Sequence, residues 1–211
     1  MPNWCFTAAI VRSDDNCKLK SIYDKLKEWL VEDDKNKSDF GNGWIGNLAV
    51  HSGILASYDE IDRIPIACRG SVEDVEFDGD SIYIAMSTAW EPMLEALYRA
   101  IERNFGLDGI NIVYSAEECG NGLYITNDDD VIGQYLVEID DEAEREVKYA
   151  FGVVDYNMDT YSEEELIPIL RRAFGMCDSD DVDIEDLVDE ANEHEGITIN
   201  KWEYEAIEDT F

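Results

Sequence analysis

Histidine is scarce in this chain, at His51 and His194, and neither belongs to an H-E-x-x-H or H-x-H pattern. The five cysteines, Cys5, Cys17, Cys68, Cys119 and Cys177, are odd in number and form no C-x-x-C pair. A structural zinc site and a disulfide framework therefore both lack their usual spacing, and a reducing cytoplasm is the expected compartment. A dyad of His51 with Cys5 or Cys68 is the one nucleophile arrangement left open, because catalytic partners meet in space rather than in sequence. Cys5 lies in a predicted buried strand, where cysteine usually acts as a small hydrophobe. No G-x-x-x-x-G-K-[ST], G-x-G-x-x-G or G-x-S-x-G occurs, so phosphate-loop and hydrolase chemistry have no support. The residue types point to a non-enzymatic protein without a cofactor.

Carboxylates are the abundant reactive type, and calcium is the first chemistry to test. An EF-hand loop needs oxygen ligands at positions 1, 3 and 5, Gly at 6 and Glu at 12. From Asp155 the register puts Thr160 at the glycine position and Leu166 at the twelfth. From Asp178 it puts Val182 at a ligand position and Asp183 where Gly is needed. Both registers fail. Asp128, Asp129 and Asp130, or Asp178, Asp180 and Asp181, remain as looser divalent groupings, against the simpler reading of solvated acidic loops.

The chain carries 50 acidic and 16 basic residues, a formal net charge of −34. Residues 1–126 hold 22 Asp/Glu and 11 Lys/Arg, a net of −11; residues 127–211 hold 28 and 5, a net of −23. Such a field repels nucleic acid and anionic lipid and attracts basic protein surfaces. Direct DNA or RNA binding is disfavoured. No apolar run reaches a membrane-spanning length, and the opening residues have no signal-peptide pattern, so neither membrane nor secretion is expected.

The elements that would carry these residues can be read from period. Trp4–Val11 reads as a buried strand. Leu19, Ile22, Tyr23, Leu26, Trp29 and Leu30 give an amphipathic helix over about 18–31. Its outer face holds Lys18, Lys20, Lys25 and Lys27, most simply a solvated basic face. Residues 35–65 are treated as an insertion. Ile66–Phe77, with a bulge near Gly70 and Ser71, and Ser81–Ser87 form a hairpin about Asp78-Gly79-Asp80. Thr88 as N-cap, with Glu91 three residues on and Pro92 in the first turn, opens a second helix that runs to Phe105 and stops at Gly106. Gly109–Ser115 is a fourth strand and Leu123–Ile125 a short further one. Strand, helix, strand, strand, helix, strand predicts an α+β fold of the ferredoxin-like split βαβ type, an antiparallel sheet with two helices. Its aromatics and charge do not match an RNA-binding sheet, and Trp44, Trp90 and Trp202 read as core or joint residues. Beyond Thr126, strands at Gly133–Ile139, Tyr149–Asp155 and Ile197–Tyr204 are expected. A capped helix should run from Ser162 to Gly175 with Pro168 inside it, where the proline should kink the helix or delay its start, and another should open at Asp183. Residues 1–126 are thus one domain and 127–211 an acidic α+β extension packed on it.

Three stretches carry a resemblance: Met1-Pro2-Asn3-Trp4-Cys5, Ser87-Thr88-Ala89-Trp90-Glu91-Pro92, and Glu117-Glu118-Cys119-Gly120-Asn121-Gly122. Together they resemble the YubB/Api92-like ferredoxin-like proteins of plasmids, phages and other mobile elements, over about residues 1–126. The resemblance implies the fold and a mobile-element setting, and supplies no catalytic residue.

Charge and setting together lead to an acidic interaction protein that imitates DNA and occupies the basic groove of a nucleic-acid-binding partner. Restriction enzymes and CRISPR effectors are the natural targets. The expected contact face is Asp178, Asp180, Asp181, Asp183, Glu185, Asp186, Asp189, Glu190 and Glu193, behind which Ile184, Leu187, Val188 and Ala191 turn inward. The alternative is a structural or regulatory scaffold of a mobile element with no groove-mimic role. Adaptation to high salt would also give strong acidity, but five cysteines and eight lysines fit it poorly.

Overall fold

A computed structural model describes residues 3–31, 40–61, 66–118, 120, 122–176 and 183–210. The fold is mixed α+β. The chain divides into two compact units, residues 1–128 with 205–211, and residues 129–204.

The first unit is built on one antiparallel sheet. Strands β1 (Trp4–Ser13), β2 (Gly70–Phe77), β3 (Ser81–Ala89), β4 (Ile110–Glu118) and β5 (Leu123–Thr126) lie in the order β2-β3-β1-β4-β5. The central pairings run Trp4 opposite Ala89 and Phe6 opposite both Ser87 and Glu117. Because strand side chains alternate between faces, Cys5, Ala9 and Val11 enter the core while Trp4 and Phe6 stay half-exposed on the other face. The first strand is therefore buried on one face only. Helix α1 (Asn16–Trp29) is capped by Asp15, whose carboxylate accepts from the Cys17 and Lys18 amides at 2.9 and 3.0 Å. It buries Leu19, Ile22, Leu26 and Trp29 against the sheet. Its basic face is partly neutralised locally: Lys20 pairs with Asp24, Lys25 with Glu28, and Lys18 Nζ donates to the Asp108 carbonyl.

Within the described part of residues 35–65, helix α2 (Ile45–His51) buries Ile45, Leu48 and Ala49 in the same core. Two expectations change in this unit. The bulge in β2 falls between Val72 and Asp74, two residues beyond Gly70-Ser71. The third helix, α3 (Glu95–Phe105), begins after Leu94 with no side-chain cap. Thr88 cannot cap it, because β3 continues to Ala89 and the fully buried Thr88 hydroxyl donates to the Glu91 carbonyl at 2.6 Å.

The second unit has a three-stranded antiparallel sheet, β6 (Tyr135–Ile139), β7 (Asn157–Tyr161) and β8 (Ile197–Lys201), in the order β7-β6-β8. Helices α4 (Arg145–Phe151), α5 (Glu163–Ala173) and α6 (Ile184–Asn192) bury Val147, Leu166, Leu170, Leu187 and Ala191 against Val137, Ile139, Ile197 and Ile199. The strand expected at Tyr149–Asp155 is not formed. Val147 and Ala150 share a helical face, and Gly152 ends α4 at φ 72°, a left-handed turn that favours glycine. The capping box forms as expected: Ser162 accepts from the Glu165 amide while the Glu165 carboxylate accepts from the Ser162 amide at 3.0 Å. Pro168 does not delay α5; it stands on the exposed side, where water can replace the lost i→i−4 bond. Among the described residues no helix is long and apolar enough to cross a membrane.

Candidate partner-binding surface

Helix α6 is fixed at both ends before its outer face matters. Asp183 caps it by accepting from the Glu185 amide at 3.2 Å. At the other end Asn192 locks it to β8, donating to the Ile199 carbonyl at 3.0 Å and accepting from the Ile199 amide at 2.7 Å. Ile184, Leu187 and Ala191 are buried and Val188 partly so. Everything acidic on the helix is thereby turned outward. Asp183, Glu185, Asp186, Asp189, Glu190 and Glu193 are all exposed. At 1.5 Å per residue the six span about 15 Å, or about one carboxylate every 3 Å. A single DNA strand carries about one phosphate per 3.4 Å of axis.

The electrostatics of α6 run against its own stability. Acids in the first turn suit the positive end of the helix dipole, but no basic residue stands in the last turn. Asp189, Glu190 and Glu193 crowd the negative end instead. Glu185 and Asp189, Asp186 and Glu190, and Asp189 and Glu193 are also like-charged i,i+4 neighbours, each mildly repulsive. None of the six enters an ion pair among the described residues. Lys201 is close enough for Glu185 to raise its pKa, though the larger cause is its hydrogen bond with Tyr135. Asp178, Asp180 and Asp181 lie outside the described residues.

The other candidate chemistry does not assemble. Both nitrogens of His51 are engaged, Nδ1 with the Trp29 carbonyl at 2.8 Å and Nε2 with the Tyr58 hydroxyl at 3.1 Å, so neither Cys5 nor Cys68 partners it. Burial pushes the thiols of Cys5 and Cys68 up to about 11 and about 12, away from thiolate formation. Among the described residues, Asp128, Asp129 and Asp130 included, no group of three or more His, Cys, Asp or Glu is placed to hold a metal ion.

One surface that composition did not reveal lies at the end of the first sheet. The described residues of the three stretches carrying the resemblance meet there. Trp4 pairs with Ala89, Phe6 with Glu117, and the Trp90 amide donates to the Asn3 carbonyl at 2.9 Å. Trp90 is half-exposed rather than core, and its φ of 77° puts a bulky side chain in a region that favours glycine. At the same end Glu118 is buried, one carboxylate oxygen accepting from the Gly120 amide at 2.9 Å and the other without a hydrogen-bond partner among the described residues. Alternation alone could not say which face of β1 carries Trp4 and Phe6. The tryptophan-proline joint was the available signal. No family model, curated protein or solved structure matches this chain.

Proposed function

We propose that the protein is a non-enzymatic, acidic interaction protein that presents α6 as a DNA-like surface to the basic groove of a nucleic-acid-binding partner. The observation that carries this reading is the charge arrangement of α6. Six exposed carboxylates stand at close to nucleic-acid charge spacing, and three of them oppose the helix dipole. A helix needing acids only for solubility has no reason to place them at its negative end, whereas a surface shaped for a cationic groove does. The first unit is read as ferredoxin-like. The order β2-β3-β1-β4, with antiparallel neighbours and helices between β1 and β2 and between β3 and β4, supports that reading. The resemblance of residues 1–126 to mobile-element proteins makes restriction enzymes and CRISPR effectors the partners to try first.

The test uses purified restriction enzymes and CRISPR effectors, assayed for DNA binding with and without the protein at rising salt. A groove mimic competes with DNA, and competition weakens steeply with salt. The variant Glu185→Gln, Asp186→Asn, Asp189→Asn, Glu190→Gln should lose competition by at least about tenfold, four weakened charge contacts contributing roughly 0.4 kcal/mol each. Competition that this variant leaves unchanged would remove α6 from the reading. A scaffold protein, by contrast, would hold its partners with no steep dependence on salt.

A further inference from the structure

A groove of about 480 Å³ opens along the outer edge of β2 in the first unit. It is lined by Tyr23, Val75, Phe77 and Tyr83 and by the carboxylates of Asp74, Glu76 and Asp78. The rings fall on two faces of the sheet: Phe77, opposite the buried Ile82, meets Tyr23 on the core side, where the pair already binds a cation, and Tyr83, opposite Glu76, stands on the other side. Lys20 Nζ lies 4.6 Å from the Tyr23 ring centroid and 5.8 Å from that of Phe77, within cation–π range. The two rings are held 5.6 Å apart by their own packing.

The carboxylates differ in what they have left to offer. Asp78 is committed to its turn, accepting from the Asp80 and Ser81 amides at 2.9 and 2.7 Å and from the Ser81 hydroxyl at 3.0 Å. These bonds hold its pKa below the usual carboxylate value. Asp74 spends one oxygen on the Val75 amide at 2.8 Å. Glu76 makes no hydrogen bond or ion pair among the described residues, and it lies directly opposite Tyr83 in the β2–β3 register. A free carboxylate beside an exposed ring, with a second carboxylate two residues along the strand, suits a planar cation that can stack and fork at once. A guanidinium does both; an ammonium forms no fork, and a divalent ion would need more oxygen ligands than these carboxylates offer.

We propose that this groove receives an arginine side chain from a basic partner, stacked on Tyr83 and hydrogen-bonded to Glu76. The site belongs to the first unit and α6 to the second, so the inference does not rest on the mimicry reading. The test titrates the isotope-labelled full chain with N-acetyl-arginine amide, its citrulline counterpart and N-acetyl-lysine amide, following amide shifts in about 0.3 M salt, where exposed charges are largely screened. Arginine should move the amides of residues 74–78 and Tyr83 saturably, lysine should do so more weakly, and uncharged citrulline should leave them in place. Tyr83→Ala and Glu76→Gln should each weaken arginine binding by about three- to fivefold, with the dispersion of the remaining amides confirming the fold. The variant neutralised on α6 should bind arginine as before. Shifts spread evenly over the acidic surface, equal shifts with citrulline, or unchanged binding in both groove variants would overturn the proposal.

Discussion

The two units differ less in architecture than in how their charge is arranged. The first holds 26 acidic and 11 basic residues, a net of −15 over 135 residues. The second holds 24 and 5, a net of −19 over 76 residues. Density alone does not separate function from solubility; placement does. Helix α3 of the first unit has Glu95 in its first turn and Arg103 in its last. Helix α5 of the second has Glu163, Glu164 and Glu165 first and Arg171 and Arg172 last. Both follow the dipole rule. Helix α6 breaks it, in the same unit and beside an obedient neighbour. A local rule broken at one element and kept at the others is what a surface selected for something besides stability looks like.

The largest effects should show that each unit stands on its own core. A Cβ at Gly196 would lie 2.2 Å from the Ala143 amide nitrogen, and the backbone there has φ 81°. Gly196→Ala therefore combines a backbone clash with a left-handed non-glycine residue and should cost the second unit about 4 kcal/mol. Gly70 in the first unit has the clash without that φ, its Cβ 2.4 Å from the Ser87 carbonyl oxygen. Gly70→Ala should cost the first unit about 2 kcal/mol. Hydrogen exchange read separately on β6–β8 and on β1–β4 measures both. Equal loss of protection in both units from either substitution would show that the separate cores unfold as one.

A smaller effect of opposite sign goes to the centre of the comparison. Asp189→Asn with Glu190→Gln removes two charges from the negative end of α6 and all three i,i+4 repulsions, and should stabilise the second unit by about 1 kcal/mol in low salt. The gain should shrink as salt rises. Arg103→Gln on α3 should do the reverse, costing about 0.5 kcal/mol. Urea unfolding at two salt concentrations reads both. If the α6 variant is instead less stable, its acids are structural and the dipole argument for function falls.

What the sequence disclosed and concealed follows the same physical lines. β1, β3, α1, α5 and α6 were legible because one face is buried against one core, so period and cap coincide; Ser162 with Glu165 and Asp183 are caps in both sequence and structure. Tyr149–Asp155 misled because a short apolar run with aromatics has no period of its own. The helix there depends on Val147, Ala150 and the turn at Gly152. Helix α2 stayed hidden because Trp44–Leu55 mixes glycine and polar residues with the apolar ones, and Asn47 is buried by donating to the Gly41 carbonyl at 2.8 Å. At the site, the outward acids of α6 could be read from helical spacing. The groove at β2 could not, since it requires Tyr23 to meet Phe77 across more than fifty residues of chain.

The smallest effects separate the units by sign under acid. Glu165 in the second unit has its pKa lowered by the Ser162 amide first and the Ser162 hydroxyl second. Its contribution is present above the ordinary value of 4.5 and is lost as pH falls through the depressed folded value. Glu165→Gln should therefore slightly destabilise the second unit at neutral pH and have no effect in strong acid. Glu205 in the first unit has its pKa raised, by burial first and then by the charges of Asp209 and Glu91. Its contribution is present below 4.5 and is lost as pH rises through the raised folded value, leaving a small cost at neutral pH. Glu205→Gln should thus slightly stabilise the first unit at pH 7 and do nothing near pH 3. Unfolding midpoints across that range, resolved by unit through amide exchange, check the pair. Two substitutions of the same chemistry moving the two units in opposite directions at neutral pH, and converging in acid, would tie the difference to how each carboxylate is held; movement in the same direction would assign it to net charge alone.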